Sequence, residues 1–161
     1  MSITVRSAER ADVPALVRLR LANAEAHVRL APDLYRIPEA DTVRRHFEGL
    51  LADGPSVLIT VAELAGEVVG MSEVVLLPEP PDHQILQPRR GADLHTVVLE
   101  THRGQGVGRA LVAAAERIAS AHGAAFLHAG IFTPNADALA FYSASGFGPR
   151  GTLLTKERAT P

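Results

Sequence analysis

One stretch constrains this chain more than any other: Val97-Val98-Leu99-Glu100-Thr101-His102-Arg103-Gly104-Gln105-Gly106-Val107-Gly108-Arg109-Ala110-Leu111. A β-branched, apolar run suited to a buried strand breaks into a polar, glycine-rich turn that opens directly into a helix. Any fold that accommodates it must set the end of a sheet strand beside the start of a helix. Gly104, Gly106 and Gly108 carry no Cβ, so successive N–H groups can converge on one point and a bulky ligand can approach. The following helix adds its unpaired N–H donors and the positive end of its dipole. Such a place attracts phosphate.

Spacing limits which phosphate ligand is meant. A Walker-type loop, Gly-x-x-x-x-Gly-Lys-Ser/Thr, needs a lysine here, and the only one in the chain is Lys156. A dinucleotide fingerprint, Gly-x-Gly-x-x-Gly, needs glycine at 109 or 111, where Arg109 and Leu111 stand. The stretch does fit Arg/Gln-x-x-Gly-x-Gly/Ala as Arg103-Gly104-Gln105-Gly106-Val107-Gly108. A second segment lies one predicted strand further on: Asn135-Ala136-Asp137-Ala138-Leu139-Ala140-Phe141-Tyr142-Ser143-Ala144-Ser145-Gly146-Phe147.

In that order the two segments resemble the acyl-CoA diphosphate loop and the Asn-to-Gly-Phe helix of the GNAT superfamily, the acetyl-CoA-dependent N-acetyltransferases. The resemblance implies an α/β, GNAT-like fold: a central mixed, mostly antiparallel twisted sheet flanked by about four helices on both faces, over residues 1–161 as a single domain. It implies acetyl-CoA as acyl donor, held by Val97, Val98, Leu99, Arg103, Gly104, Gln105, Gly106, Val107, Gly108 and Arg109, with the strand bulged and its backbone near Val98 bonded to the pantetheine arm. Asn135 would touch the pantetheine, although Asn is also a good helix cap. Tyr142 would sit beside the thioester sulfur as general acid. Its plainer reading is an aromatic on the buried face of an amphipathic helix.

The rest of the chain agrees with one domain. It has 161 residues, 47% hydrophobic and 21% charged, enough to bury a core. The formal charge is −2 and no block of like charge appears, which argues against nucleic acid and anionic membranes as partners. The absence of Cys excludes a disulfide framework, thiolate metal sites and a cysteine acyl-enzyme. No metal is expected. The N-terminus, Met1-Ser-Ile-Thr-Val-Arg, has no apolar leader core, so a cytoplasmic protein is expected.

Taken in order, Ile3 to Arg6 reads as a strand, and Asp12 as the cap of a helix with Pro14 in its first turn. Residues 27 to 40 interrupt the helical pattern before Asp41 caps a second helix that stops at Gly54. By the resemblance, this pair walls the acceptor groove, so His27, Tyr35 and Arg36 are candidates to face substrate, or are plain surface residues. Val57–Glu63 and Val68–Leu77 are strands joined by a tight turn at Ala65-Gly66. The near-continuous Val and Leu of the second imply burial on both faces, which makes Ser72 and Glu73 conspicuous. Glu73 either faces the acceptor as base or amine anchor, or pairs with an arginine.

The proline-rich loop 78–92 is expected to border the substrate entrance. Residues 124–132 read as a strand, and 147–157 as one more, where the family has a hairpin; a partner chain in a homodimer is one way to complete it. Direct acetyl transfer to a primary amine of a small molecule or peptide needs no covalent enzyme nucleophile. It needs a base, for which Glu73 and His95 rank equally and Asp93 behind. A catalytically degenerate acyl-CoA-binding sensor or structural subunit, and a nucleotide-binding domain of another type, are the competing readings.

Overall fold

The computed structural model describes residues 2–54 and 56–160. Five strands form one sheet in the order β1 (Ile3–Ser7), β2 (Val57–Leu64), β3 (Glu67–Leu76), β4 (Gly91–Val98) and β5 (Phe126–His128). The first four are antiparallel and β5 runs parallel to β4. Helices α1 (Val13–Leu30) and α2 (Ala40–Ala52) separate β1 from β2; α3 (Val107–Ala121) and α4 (Ala136–Ala144) flank β5 in sequence. The mixed, mostly antiparallel sheet with four helices is the architecture that the two motifs imply.

Alternation along the strands divides the core into two faces. On one, Leu16 and Leu19 of α1 and Phe47 of α2 pack on Val61 and Met71. On the other, Leu111, Val112 and Ala115 of α3 meet Val69, Val74 and Leu94. Each fully buried Leu or Phe among these contributes roughly 1.5–3 kcal/mol. The alanine stripe of α3 lets that helix lie close to the sheet, and Gly123, at φ +81°, follows its end. At the β2–β3 hairpin both turn residues are left-handed, Ala65 at φ +52° and Gly66 at φ +80°, which matches the right-handed twist of the paired strands.

The polar interruptions in β3 are both accounted for. Ser72 is fully buried, and its hydroxyl pairs with that of Thr60 on β2 at 2.7 Å. Glu73 points to the opposite face, toward α1.

Several expectations are corrected. Asp12 precedes α1 but does not cap it: its carboxylate takes both Arg6 guanidinium nitrogens at 2.7 and 2.9 Å and the Glu9 amide at 2.7 Å. Asp41 lies inside α2, where it pairs with Arg44 and Arg45 instead of capping. The β3–β4 register runs unbroken from Gly70↔Val98 to Leu76↔Ala92, so no bulge interrupts β4 there; the irregularity falls at Ala62/Glu63 of β2. Residues 147–157 form no strand. Phe147 packs into the second core, but Leu153 and Leu154, flanked by Gly151-Thr152 and Thr155-Lys156, stand 92% and 87% exposed. No helix among the described residues is long and apolar enough to cross a membrane.

Candidate active site

The cleft arises where two strands part. β4 and β5 are paired only over Gly91–Asp93 and Phe126–His128, against the longer strand 124–132 that the sequence suggests. Beyond Asp93, the β4 edge that faces away from β3 has no sheet partner among the described residues. A cavity of about 570 Å³ opens there, with Thr96, Val97 and Val98 on its floor and Asn135 and Tyr142 on its α4 side. Unpaired main-chain donors and acceptors along a strand edge can hydrogen-bond an extended ligand arm.

At the end of β4 the chain makes one 3-10 turn, Glu100–His102, and enters the glycine loop. Gly104 and Gly106 adopt φ +74° and +89°, conformations that L side chains rarely take. A Cβ at Gly104 would meet nothing within 4 Å, so conformation and not space makes this position a glycine. The first intrahelical bond of α3 runs from the Ala110 amide to the Gly106 carbonyl. The amides of Val107, Gly108 and Arg109 are therefore left free at the positive end of a 15-residue helix. Arg103, Gly104, Gly106, Gly108 and Arg109 all line the cavity.

Three of the residues expected to contact the donor do not line this cavity. Val107 is buried with Leu111 beneath β1 and β3. Leu99 packs against the α1–α2 core and gives its amide to the Val69 carbonyl at 2.9 Å. Gln105 is exposed and turns back toward the Thr101 carbonyl. The motif fixes backbone positions here, and a side chain at such a position is free to serve the core.

Tyr142 is 8% exposed, edge-on to Phe141 and Phe147 at centroid distances of 5.0 and 5.2 Å. Burial pushes its phenol above the ordinary tyrosine value, and the nearby polar groups of Thr96 oppose part of that shift. Their contact falls short of a hydrogen bond, since the Thr96 hydroxyl is buried with no partner among the described residues. Asn135 caps α4, its side-chain oxygen accepting from the Ala138 amide at 3.2 Å, and also lines the cavity. Gly108 allows α4 to come close: a Cβ there would lie 2.9 Å from the Phe141 ring.

A smaller cavity of about 160 Å³ adjoins the first and is lined by Arg20, Asn23, Met71, Glu73, His95 and Val97. Asn23 and Val97 line both cavities, so the two meet at these residues. Glu73 and His95 are directly opposed in the β3–β4 register. His95 is exposed and Glu73 is 7% exposed, with its Oε1 accepting from Arg20 Nη2 at 2.5 Å. The Arg20 guanidinium also lies over the Phe47 ring, 5.3 Å from its centroid. Side chains alternate along β4: His95 shares the α1 side with Glu73, while Leu94 faces α3 and Thr96 lies beside Tyr142.

Asp93 sits opposite Val75, toward the other end of β4, and lines neither cavity. Tyr35 stacks edge-on between His27 and Phe132 at 4.9 and 5.3 Å, and Arg36 is exposed. Of the stretch 78–92, residues 91 and 92 belong to β4; the connection 77–90 joins β3 to β4 at the end remote from the glycine loop and contributes to neither cavity. Sequence reasoning missed Arg20 and Asn23. Arg20 and Asn23 are spaced three apart on α1, beside its apolar stripe, and that spacing was the available signal.

The splayed sheet with a glycine-rich helix start at the mouth of the gap defines a class of α/β protein. The chain belongs to the GNAT acetyltransferase family, whose model matches residues 23–147. Its fold is similar to that of the BH1408 protein from Bacillus halodurans, solved as a mutant, with TM-score 0.87 and 23% identity over 97% of this chain and 99% of that one. It is also similar to aminoglycoside N-acetyltransferase AAC(6')-Iy in complex with CoA (TM-score 0.74, 16% identity, 99% and 96% covered). A third similar structure is glucosamine-6-phosphate N-acetyltransferase from Arabidopsis thaliana (TM-score 0.69, 16% identity, 98% and 99% covered). Among curated proteins, none matches the sequence.

Proposed function

We propose that this protein transfers the acetyl group of acetyl-CoA directly to a primary amine of a small molecule or peptide. The observation that carries the reading is the cradle of free amides at Val107, Gly108 and Arg109, behind two left-handed glycines, at the end of an unpaired strand edge. The residues fit the donor. Its diphosphate would take the amides and Arg103 and Arg109, and its pantetheine arm the backbone of Val97 and Val98. The buried, partnerless Thr96 hydroxyl is the kind of polar atom that a ligand satisfies.

The donor supplies an activated thioester acetyl group. As the amine nitrogen bonds to the acetyl carbon and the carbon–sulfur bond breaks, Tyr142 gives its proton to the departing thiolate. Its raised pKa keeps it protonated at neutral pH. The proton lost by the nitrogen passes to Glu73 or His95, which share the adjoining cavity, directly or through water. The amine is thereby approached from the α1 side and the sulfur from the α4 side.

Thiol release from acetyl-CoA over a panel of amines tests this reading. Amine-dependent release is expected, with Gly106→Glu abolishing CoA binding, because it sets bulk and negative charge among the amides. Release only at the buffer rate, with tight CoA binding retained, would leave a binding subunit in place of an enzyme. Normal CoA affinity in Gly106→Glu would remove the loop assignment.

A further inference from the structure

The small cavity carries a charge pattern that a simple amine would not need. We infer that the acceptor is amphoteric, a small molecule with a carboxylate a few bonds from its amine, bound by the Arg20–Glu73 ion pair as a preformed complementary dipole. This rests on the acetyl-transfer reading and adds the chemical class of the acceptor.

The contrast between two ion pairs of the same chain supports it. Arg6 and Asp12 form a closed unit: both carboxylate oxygens meet separate guanidinium nitrogens at 2.7 and 2.9 Å, the Glu9 amide adds a third bond, and Arg6 reaches Glu63 as well. Such a pair has little left to offer a ligand. Arg20 and Glu73 are joined through a single nitrogen and a single oxygen, Nη2 to Oε1. Glu73 Oε2 and the other guanidinium nitrogen atoms keep their hydrogen-bonding capacity. Both residues line the small cavity, whereas Arg6 and Asp12 line neither it nor the larger one. Glu73 is largely buried while the Arg20 side chain is 32% exposed, so the unused donors and acceptor remain open to the cavity and can be reached by a ligand.

The net charge decides which ligand completes it. One guanidinium, one carboxylate and the His95 imidazole, beside the neutral amide of Asn23, leave no surplus negative field to attract a plain amine or polyamine. Such a cation would have to compete with Arg20 for Glu73. A zwitterion competes with neither: its ammonium group meets Oε2, its carboxylate meets the free guanidinium donors, and the Arg20–Glu73 bond survives between them. The π-face contact with Phe47 holds the guanidinium in place before binding. At about 160 Å³ the space suits a small amino acid, well below the roughly 300–1,000 Å³ of sites for drug-sized ligands. Because Asn23 and Val97 border both cavities, an amine at Glu73 and His95 lies next to the thioester end of the donor cleft.

The experiment compares acetyl-CoA turnover with matched acceptors: a set of α-, β- and γ-amino acids, their carboxamides, and the amines lacking the carboxyl carbon. At least one acid is expected to exceed its own amide in kcat/KM by about tenfold or more, the size of one charge-assisted contact. In Arg20→Gln the acid-to-amide ratio is expected to fall to about one, mostly through KM for the acid, with the Kd for CoA unmoved. Amides that match or exceed their acids in the wild type overturn the inference while leaving acetyl transfer standing. So does an Arg20→Gln variant that lowers both equally, the mark of a structural pair. Should that variant fail to fold, the wild-type ratios decide alone. No turnover of any amine, with CoA bound, overturns the acetyl-transfer reading and this inference with it.

Discussion

Tyr142→Phe separates the chemical role of the phenol from the structural role of its ring. The ring makes its edge contacts with Phe141 and Phe147 at 5.0 and 5.2 Å, and phenylalanine keeps them. The hydroxyl lies beside Thr96 without a full hydrogen bond, so its removal should cost less than about 1 kcal/mol of stability. In a domain of this size that is a shift in Tm of at most about 2–4 °C. As a general acid the same hydroxyl is worth about 10²–10⁴ in rate, or roughly 2.7–5.5 kcal/mol of barrier. The expected result is a fall in kcat of that order, with the Kd for CoA and the fold unchanged. The pH profile offers a second readout. Burial raises the phenol pKa, so wild-type kcat should lose activity only above the ordinary tyrosine value near ~10, and the variant should lack that alkaline limb. The same raised pKa means that the folded state gains from the protonated phenol and loses that advantage as pH climbs through the folded value, so the variant's stability should be flatter there. A kcat within twofold of wild type would refute the general-acid role and leave Tyr142 as core packing.

Two further perturbations test the frame around the site. Gly108→Ala puts a Cβ 2.9 Å from the Phe141 ring. The overpacking of about 1–3 kcal/mol should outweigh the roughly 0.5–1 kcal/mol that alanine gains in a helix, read as a lower urea midpoint together with a higher KM for acetyl-CoA; unchanged stability would show that α4 yields freely. Asp12→Asn should cost about 1.5–3 kcal/mol at neutral pH by breaking its charged bonds with Arg6. Arg6, and next the Glu9 amide, hold this carboxyl below its usual range, so its contribution is present above the ordinary value near ~3.9 and is lost as pH falls through the folded value. Wild type and variant should therefore converge in acid denaturation.

What the sequence carried and what it did not divide along a physical line. The glycine loop was legible because main-chain conformation demands glycine: positive φ at 104 and 106 leaves few alternatives, and the amides they orient belong to every residue alike. Order and type of the strands through β4 followed from apolar patterning, which reports burial. Boundaries failed where the cause was tertiary. β5 is short because it diverges from β4, and the tail forms no strand because nothing packs on Leu153 and Leu154. Asp12 and Asp41 looked like caps because capping is the commonest use of such residues, and each was drawn off by an arginine that sequence distance does not rank above the helix amides.

The small cavity was the least legible part because its chemistry depends on which side chains share an exposure. Glu73 alone in the sequence suggests a base, an amine anchor or a structural pair. Only the arrival of Arg20 from α1, 53 positions away, reduces the choice, and it does so through geometry: one bond where two are possible. That incompleteness separates the pair from Arg6–Asp12, which uses the same residue classes to saturation. The charge state of the small cavity is thus a property of two elements meeting, and acceptor selectivity in this chain should respond to α1 substitutions at 20 and 23 while donor binding responds to the glycine loop. If changes on α1 alter donor affinity as strongly as acceptor choice, the two cavities do not divide the labour in this way.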